Sequence, residues 1–233
     1  SVTMPVDMTV ALRKGSKVID FNVKVDNKGL SHRLCVVFDS QIVSAFNYAD
    51  QQFGLIKRPN YYEKEMKLYM ESMNNRSEKK TGIQELANWA NDQSTWQEPP
   101  ISIEPTQSYV SLTDGKTGVA VIPQGVREYE VLDDSKIRLT LFRTYGFMGK
   151  ENLIYRPGRA SGERIIETPA AQLLKQMEFN FGFTTYAGDI NDADIDTLAK
   201  QYDTNMEVYT YAEFLNGRLI FSQREIEGKN DIV

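Results

Sequence analysis

The chain has one cysteine and one histidine in 233 residues, and that scarcity removes several kinds of chemistry at once. Cys35 cannot form an internal disulfide, which suits a reducing compartment. A zinc centre built on several histidines cannot be assembled, and one cysteine does not replace them. Any Ser–His–Asp or Cys–His arrangement would have to use His32. No run of 18 apolar residues occurs, so no membrane-spanning helix is expected. Basic residues are not in excess: 27 Lys and Arg stand against 32 Asp and Glu, a formal charge of −5. That balance offers no field for a phosphate backbone, and nucleic-acid binding is not expected. The opening SVTMPVDMTV has neither a positive n-region nor an apolar core. No export signal is read there, and a cytoplasmic location is the expectation.

What is present is mostly strand pattern. VDMTVALRKGSKVIDFNVKVDNKG reads as a hairpin in which Lys14-Gly15 turns the chain and Ile19, Phe21, Val23 and Val25 share one face. LCVVFD is shorter and more continuously apolar, which predicts burial on both faces. From Tyr61 the period changes. Tyr62, Met66, Tyr69, Met70 and Met73 form a stripe at helical spacing, and Thr81 with Gln84 suits the capping box of a second short helix. The prolines of WQEPP and EP then predict a crossing loop.

SYVSLTDGKTGVAVIPQGVREYEV, residues 108–131, reads as strand, turn, strand, loop, strand. Val110 and Leu112 share a face, Asp114-Gly115 begins a turn, and Gly118 is expected to add backbone freedom. Pro123 and Gly125 are expected to bound a loop. Glu128 to Leu132 is extended, Asp133-Asp134-Ser135 turns it, and IRLTLFRTYG returns with Ile137, Leu139 and Leu141 aligned. Residues 150–169 form a long connection carrying Arg156, Arg159 and Arg164. QMEFNFGFTTYA alternates through Phe179, Phe181 and Phe183. A helix near Asp192 presents Ile195, Leu198, Ala199 and Tyr202, and residues 206–211 and 218–222 read as further strands. Short strands joined by turns, without regular crossover helices, predict a mainly β fold. The expected form is a large antiparallel β-sandwich with short helical insertions. One domain is expected over 1–233, with a helical insertion about 61–91 and a helical/β extension at 188–233.

Candidate chemistry centres on Glu128 and Glu130. Two residues apart on a strand, they project from one face about 6.6 Å from each other, within the range of glycosidase carboxylates. Catalysis also needs the two groups to flank a bond and to differ in pKa. Three uses stay open for them: catalysis, support of a ligand, or a solvated, ion-paired face. Arg143, at a strand end beside Tyr145, can pair with either glutamate across the sheet or bind hydroxyl groups; structural pairing is the favoured reading. The arginine-rich YRPGRASG lacks the spacing of a phosphate loop. DINDADID fails the calcium-loop pattern, with Lys200 where the twelfth-position glutamate belongs. His32 and Cys35 do not make a dyad, because they face opposite sides of an extended strand, and Cys35 is expected to be a buried thiol. No catalytic or metal-ligating residue is assigned.

The ordered combination VDNKGLSHRLCVVFD, FGLIKRP, WQEPP, SYVSLTDGKTGVAVIPQGVREYEV, IRLTLFRTYGF and RPGRASGERIIETPAAQ resembles the C-terminal β-rich region of glycoside hydrolase family 38 α-mannosidases. The likeness is nearest to the bacterial branch that includes mannosylglycerate hydrolases. It implies a galactose-mutarotase-like supersandwich that works beside an N-terminal catalytic barrel and a helical bundle. It also implies zinc or another divalent cation in that N-terminal part, an α-mannoside substrate, and a retaining reaction. On this resemblance the chain is the non-catalytic sandwich of such an enzyme, shaping or stabilising its cleft. Arg58, Glu128, Glu130, Arg143 and Tyr145 are then candidates for the substrate cleft or for domain contacts. The alternatives are an independent carbohydrate-binding module and a purely structural assembly domain, with a homo-oligomer as a further expectation.

Overall fold

The computed structural model describes residues 2–76, 99–150 and 165–204. In chain order the strands are β1 (Val6–Ala11), β2 (Ile19–Asp26), β3 (Arg33–Asp39), β4 (Phe46–Gln51), β5 (Gly54–Pro59) and β6 (Glu104–Pro105). They continue with β7 (Val110–Thr113), β8 (Thr117–Gln124), β9 (Glu128–Leu132), β10 (Lys136–Arg143), β11 (Phe147–Met148), β12 (Ile166–Glu167) and β13 (Gln176–Ala187). Among the described residues two α-helices join them, α1 (Glu63–Arg76) and α2 (Ile195–Asp203), with a short 3-10 turn at Pro169–Gln172. A seven-stranded sheet runs β1-β2-β13-β8-β7-β4-β5, and a four-stranded sheet runs β3-β10-β9-β6. Among the described strands every pairing is antiparallel.

The antiparallel sandwich expected from the strand pattern is what forms. Its core lies between the sheets, where Val23, Val110, Leu112, Val119, Val121 and Phe181 meet Tyr129, Val131, Ile137, Leu139 and Phe142. Each such side chain, fully buried, contributes about 1.5–3 kcal/mol relative to exposure. Phenylalanines tie the two layers: Phe38 of β3 meets Phe21 and Phe181 edge-on and stacks on Phe183, with centroids 5.5–5.6 Å apart. Offset and edge-on pairs of this kind are the favoured aromatic geometries.

The outer face of the seven-stranded sheet is also covered. There α2 presents Ile195 and Ala199 to Val18, Tyr109, Ala120 and Ile122, so the periodicity near Asp192 gave a helix with the expected face. A strand buried on both sides is β8, whose Val-Ala-Val-Ile run alternates between two cores, and its neighbour β7 is buried along its length as well. The similar run in LCVVFD behaves otherwise. As β3 it is an edge strand, with Val37 48% exposed, and the expectation of burial on both faces does not hold. Its inward residues Leu34, Val36 and Phe38 pack on the core, but among the described residues nothing similar covers the other face.

Several local expectations change for physical reasons. In α1, Tyr69 is buried, but Met66 and Met70 of the same stripe are exposed, so the face that packs is narrower than the stripe. Pro123 lies inside β8, opposite Phe181. It is tolerated there because the pairing of β8 with β7 ends at Val121, beyond which a missing N–H interrupts no second ladder. Leu141 and Phe142 are both buried, because the register of β10 against β3 shifts between Thr140 and Phe142, and a bulge turns successive side chains inward. The turn at Asp133 and Asp134 is as read: both have positive φ, 50° and 56°, and the Ser135 amide donates to the Leu132 carbonyl at 3.1 Å. That is the hairpin turn whose twist suits its strands. The expectations for Thr81 and Gln84, for Arg156, Arg159 and Arg164, and for strands at 206–211 and 218–222 fall outside the described residues.

Gly118 is required by packing, not by backbone freedom. A Cβ there would stand 2.0 Å from Cζ of Tyr186, whose hydroxyl lies 2.7 Å from Ser111 Oγ. Gly118→Ala is therefore expected to destabilise the fold by about 1–3 kcal/mol through overpacking. Urea denaturation measures it, and Tyr186→Leu in the same chain is expected to recover part of the loss.

Candidate functional site

The Glu-Tyr-Glu stretch of β9 splits by strand alternation. Tyr129 points into the sandwich and is 1% exposed, while Glu128 and Glu130 share the outer face of the four-stranded sheet. Arginines from the neighbouring strands meet them there. Arg143 of β10 clamps Glu128, with Nε 2.9 Å from both carboxylate oxygens and a terminal nitrogen 2.7 Å from Oε1. Glu130 accepts from Arg138 Nε at 2.7 Å and from Arg33 of β3 on the same oxygen. Glu130 is only 7% exposed, and two guanidinium groups on one oxygen supply the compensation that a sheltered carboxylate requires.

This arrangement suits structure better than acid–base work. Burial pushes the Glu128 carboxyl up, but hydrogen bonds from Arg143 and Thr140 and the charges of Arg143 and Arg33 outweigh it. The net result holds the carboxyl below its ordinary 4.5. A general acid needs the opposite displacement, toward the proton-bound form. The structural pairing of Arg143 with Glu128 is thus present.

On the inner side, Tyr129 joins the sheets through its hydroxyl. It donates to Asn47 Oδ1 of β4 at 2.5 Å and accepts from Arg58 of β5 at 3.1 Å. Arg58 also donates to the Pro105 carbonyl at 3.0 Å and lies 3.5 Å from Glu104, which accepts from Tyr62. Asn47 donates to Asn60, and Asn60 donates to the Ser44 carbonyl and to Asp134 of the β9–β10 turn. Burial pushes the Tyr129 phenol up to about 12, against the lowering influence of Arg58.

The five candidate residues therefore fall into two groups. Glu128, Glu130 and Arg143 stand together on the outer face, with Tyr145 just beyond the end of β10 and 49% exposed. Arg58 is apart from them, between the sheets, with its side chain 13% exposed. His32 sits at the Tyr145 end. Its Nδ1 is 3.2 Å from Thr144 Oγ1, its ring meets Phe142 edge-on, and its Nε2 is buried with no hydrogen-bond partner among the described residues. Nearby, Asn27 donates to the carbonyls of Gln172 and Leu173, and the Gln172 side chain accepts from the Ser31 amide. Cys35 is half-buried, not enclosed, and its Sγ accepts from Arg33 Nε at 3.0 Å. In DINDADID, Asp189 is occupied by the amide and side chain of Asn191, at 2.9 and 2.6 Å. Among the described residues no three His, Cys, Asp or Glu side chains gather as a metal site.

Arg33 and Arg138, the partners of Glu130, were missed in the sequence, as were Asn47, Asn60, Tyr62 and Glu104. Alternation along β9 was enough to send Tyr129 inward. Nothing local reports which distant polar group its hydroxyl would meet.

The model for the family described as "Glycosyl hydrolases family 38 C-terminal domain" matches residues 3–147. A protein of Halalkalibacterium halodurans that carries the name "Putative mannosylglycerate hydrolase" is 27% identical over 206 residues, covering 88% of this chain and 18% of that protein. Two solved structures from Enterococcus faecalis share the fold. One, an alpha-mannosidase of strain V583, aligns with a TM-score of 0.61 at 22% identity, over 85% of this chain and 18% of that one. The other, a protein in the glycosyl hydrolase family 38, gives 0.59 at 21% identity with the same coverages. The chain thus spans less than a fifth of the length of each of these proteins.

Two substitutions separate the faces of β9. Tyr129→Phe leaves Asn47 and Arg58 without their shared hydroxyl, and a loss of about 1.5–3 kcal/mol is expected in denaturant unfolding at pH 7. Glu128→Gln is expected to cost less, about 0.5–1 kcal/mol for a partly exposed pair. Because the folded carboxyl titrates below the ordinary 4.5, its stabilisation is present above that pH and lost as pH falls through the folded value. The variant's stability should therefore fall less steeply than the parent chain's on acidification below about pH 5, as read by urea midpoints across pH.

Proposed function

The chain belongs to the glycosyl hydrolase family 38 C-terminal domain family, and on that premise we propose that it is the non-catalytic sandwich of a larger retaining α-mannosidase. It shapes or stabilises the substrate cleft of that enzyme and does not hydrolyse by itself. The observation that carries the reading is the state of its adjacent carboxylates. Glu128 is clamped by Arg143 and Glu130 by Arg33 and Arg138, so neither is left to attack or protonate a glycosidic bond. The coverage of less than a fifth of each relative supports a longer parent. In that parent the partners are an N-terminal catalytic barrel and a helical bundle, and the substrate is an α-mannoside.

The zinc implied by the family does not fit the described residues. No donor trio gathers among them, and the one histidine of the chain has its Nδ1 at Thr144 and its ring on Phe142. We place that cation in the catalytic portion of the parent. Of the five candidates, Tyr145 and Arg143 remain reachable from outside, at 49% exposure for the residue and 46% for the side chain. They are the ones suited to touch a neighbouring domain or the cleft. Arg58 acts from within, as a brace on Tyr129.

The purified chain, supplied with zinc, is expected to show no turnover of an aryl α-mannoside or of mannosylglycerate. Turnover that disappears in Glu128→Gln or Glu130→Gln would reverse the reading. Calorimetric titration with mannose, mannobiose and mannosylglycerate is expected to give no saturable heat. A saturable response would instead make the chain a carbohydrate-binding module.

A further inference from the structure

Three stretches of chain meet at one end of the sandwich, where β2 and β10 end and β3 and β13 begin. They are residues 27–32, 144–148 and 166–175. Asn27 donates its side-chain amide to the carbonyls of Gln172 and Leu173 and its backbone N–H to that of Lys175. The Ser31 N–H donates to Gln172 Oε1 at 2.8 Å. The Thr144 amide donates to the His32 carbonyl, that of Tyr145 to Ala171, and that of Thr168 to Gly146. Around this polar knot stand apolar side chains that the core does not use. Leu30, Tyr145, Phe147, Met148, Ile166 and Leu174 are 46–63% exposed, and among the described residues nothing covers them.

The knot holds its backbone in an unfavourable form. Ser31 and Leu173 both have a φ of 50°, left-handed geometry that a residue with a side chain adopts only where its surroundings over-determine it. Asn27 and Gln172, both buried, do that here. A Cβ on Gly146 would stand 2.7 Å from Gln172 Nε2, so the backbone before Phe147 lies directly against that amide. An apolar surface fixed in this way gives up little freedom when it is covered.

The chain also enters the fold at this end. Met4 packs on the core, and the Pro5 carbonyl accepts from the Asp26 amide, next to Asn27. Residues 2–5 therefore pass beside the knot. The matching family is a C-terminal domain, and this chain spans 18% of the length of its relatives. We propose that this apolar end is the surface on which the portion of the parent preceding residue 1 packs. The inference rests on the longer parent of the reading above and adds the face through which it is joined. The entry point selects that occupant, because whatever precedes Val2 is delivered to this end on a short tether, at high effective concentration. The composition suits a permanent joint, whose centre is apolar and poor in charge. The clamped pair of Arg143 and Glu128, at the adjoining end of β10, supplies a polar rim.

Hydroxyl-radical footprinting of the whole parent protein beside the 233-residue chain tests it. Leu30, Tyr145, Phe147, Met148 and Leu174 are expected to react at least about fivefold more slowly in the parent, as side chains at the centre of an interface do. Equal reactivity in the two proteins overturns the proposal. So does protection found only elsewhere, at Val37 of β3 or at Phe53 of the β4–β5 turn. A second measurement uses Phe147→Lys with Met148→Lys. Both side chains are exposed in this chain, so its own urea midpoint should stay where it is, while the Tm of the parent should fall by several degrees. An unchanged parent Tm overturns the proposal. A parent whose patch is protected but which turns over no α-mannoside supports the packing and overturns the functional reading. A parent with turnover and a fully reactive patch does the reverse.

Discussion

One phenol holds the two layers in register. Tyr129 has its ring in the core and its hydroxyl shared between Asn47 of β4 and Arg58 of β5. The hydrophobic effect is non-directional and does not by itself fix which polar groups of the two sheets stand opposite one another. Hydrogen bonds with fixed donors and acceptors remove that freedom. From Tyr129 the polar contacts run through Asn47 and Asn60 to the β9–β10 turn in one direction, and through Arg58 and Glu104 to Tyr62 at the start of α1 in the other. Each buried group in that line has a partner, which is the condition under which a buried polar network adds to specificity and does not weaken the core.

The same strand places its charges on the opposite face, and the two faces explain one another. Since Tyr129 must point inward to reach Asn47 and Arg58, Glu128 and Glu130 must point outward. There they meet arginines from β10 and β3. This ladder of alternating sign runs across the outer side of the smaller sheet, beside the exposed Val37. It also explains how a pair of carboxylates at glycosidase-like spacing can belong to a domain whose proposed role is support. Spacing is fixed by the strand, whereas proton affinity is fixed by what stands beside each group.

The unequal width of the two sheets shapes the remainder. Among the described strands, seven against four leave β1 beyond the last strand of the smaller sheet, with Val6, Met8 and Val10 exposed. At the other margin the short β6, containing Pro105, closes the smaller sheet and supplies the carbonyl that Arg58 binds. Among the described residues, polar contacts close one margin and exposed apolar side chains mark the other.

Much of this was legible in the residues. The alternation through Phe179, Phe181 and Phe183 marked β13, Glu128 to Leu132 was read with the bounds of β9, and the Asp133-Asp134 turn followed from residues that tolerate positive φ. The ordered motifs pointed to the family that the comparisons then supported. These features are local: period, turn chemistry and residue order are properties of short stretches of chain. What the tertiary structure alone decided was which apolar run would be central and which would be an edge, why Gly118 must be glycine, and where Arg58 and Tyr129 would meet. VAVI and LCVVFD have similar composition, but one lies between two neighbours under α2 and the other lies at a margin. Such outcomes depend on contacts between residues far apart in sequence, and burial and charge pairing are properties of those contacts, not of the segments that make them.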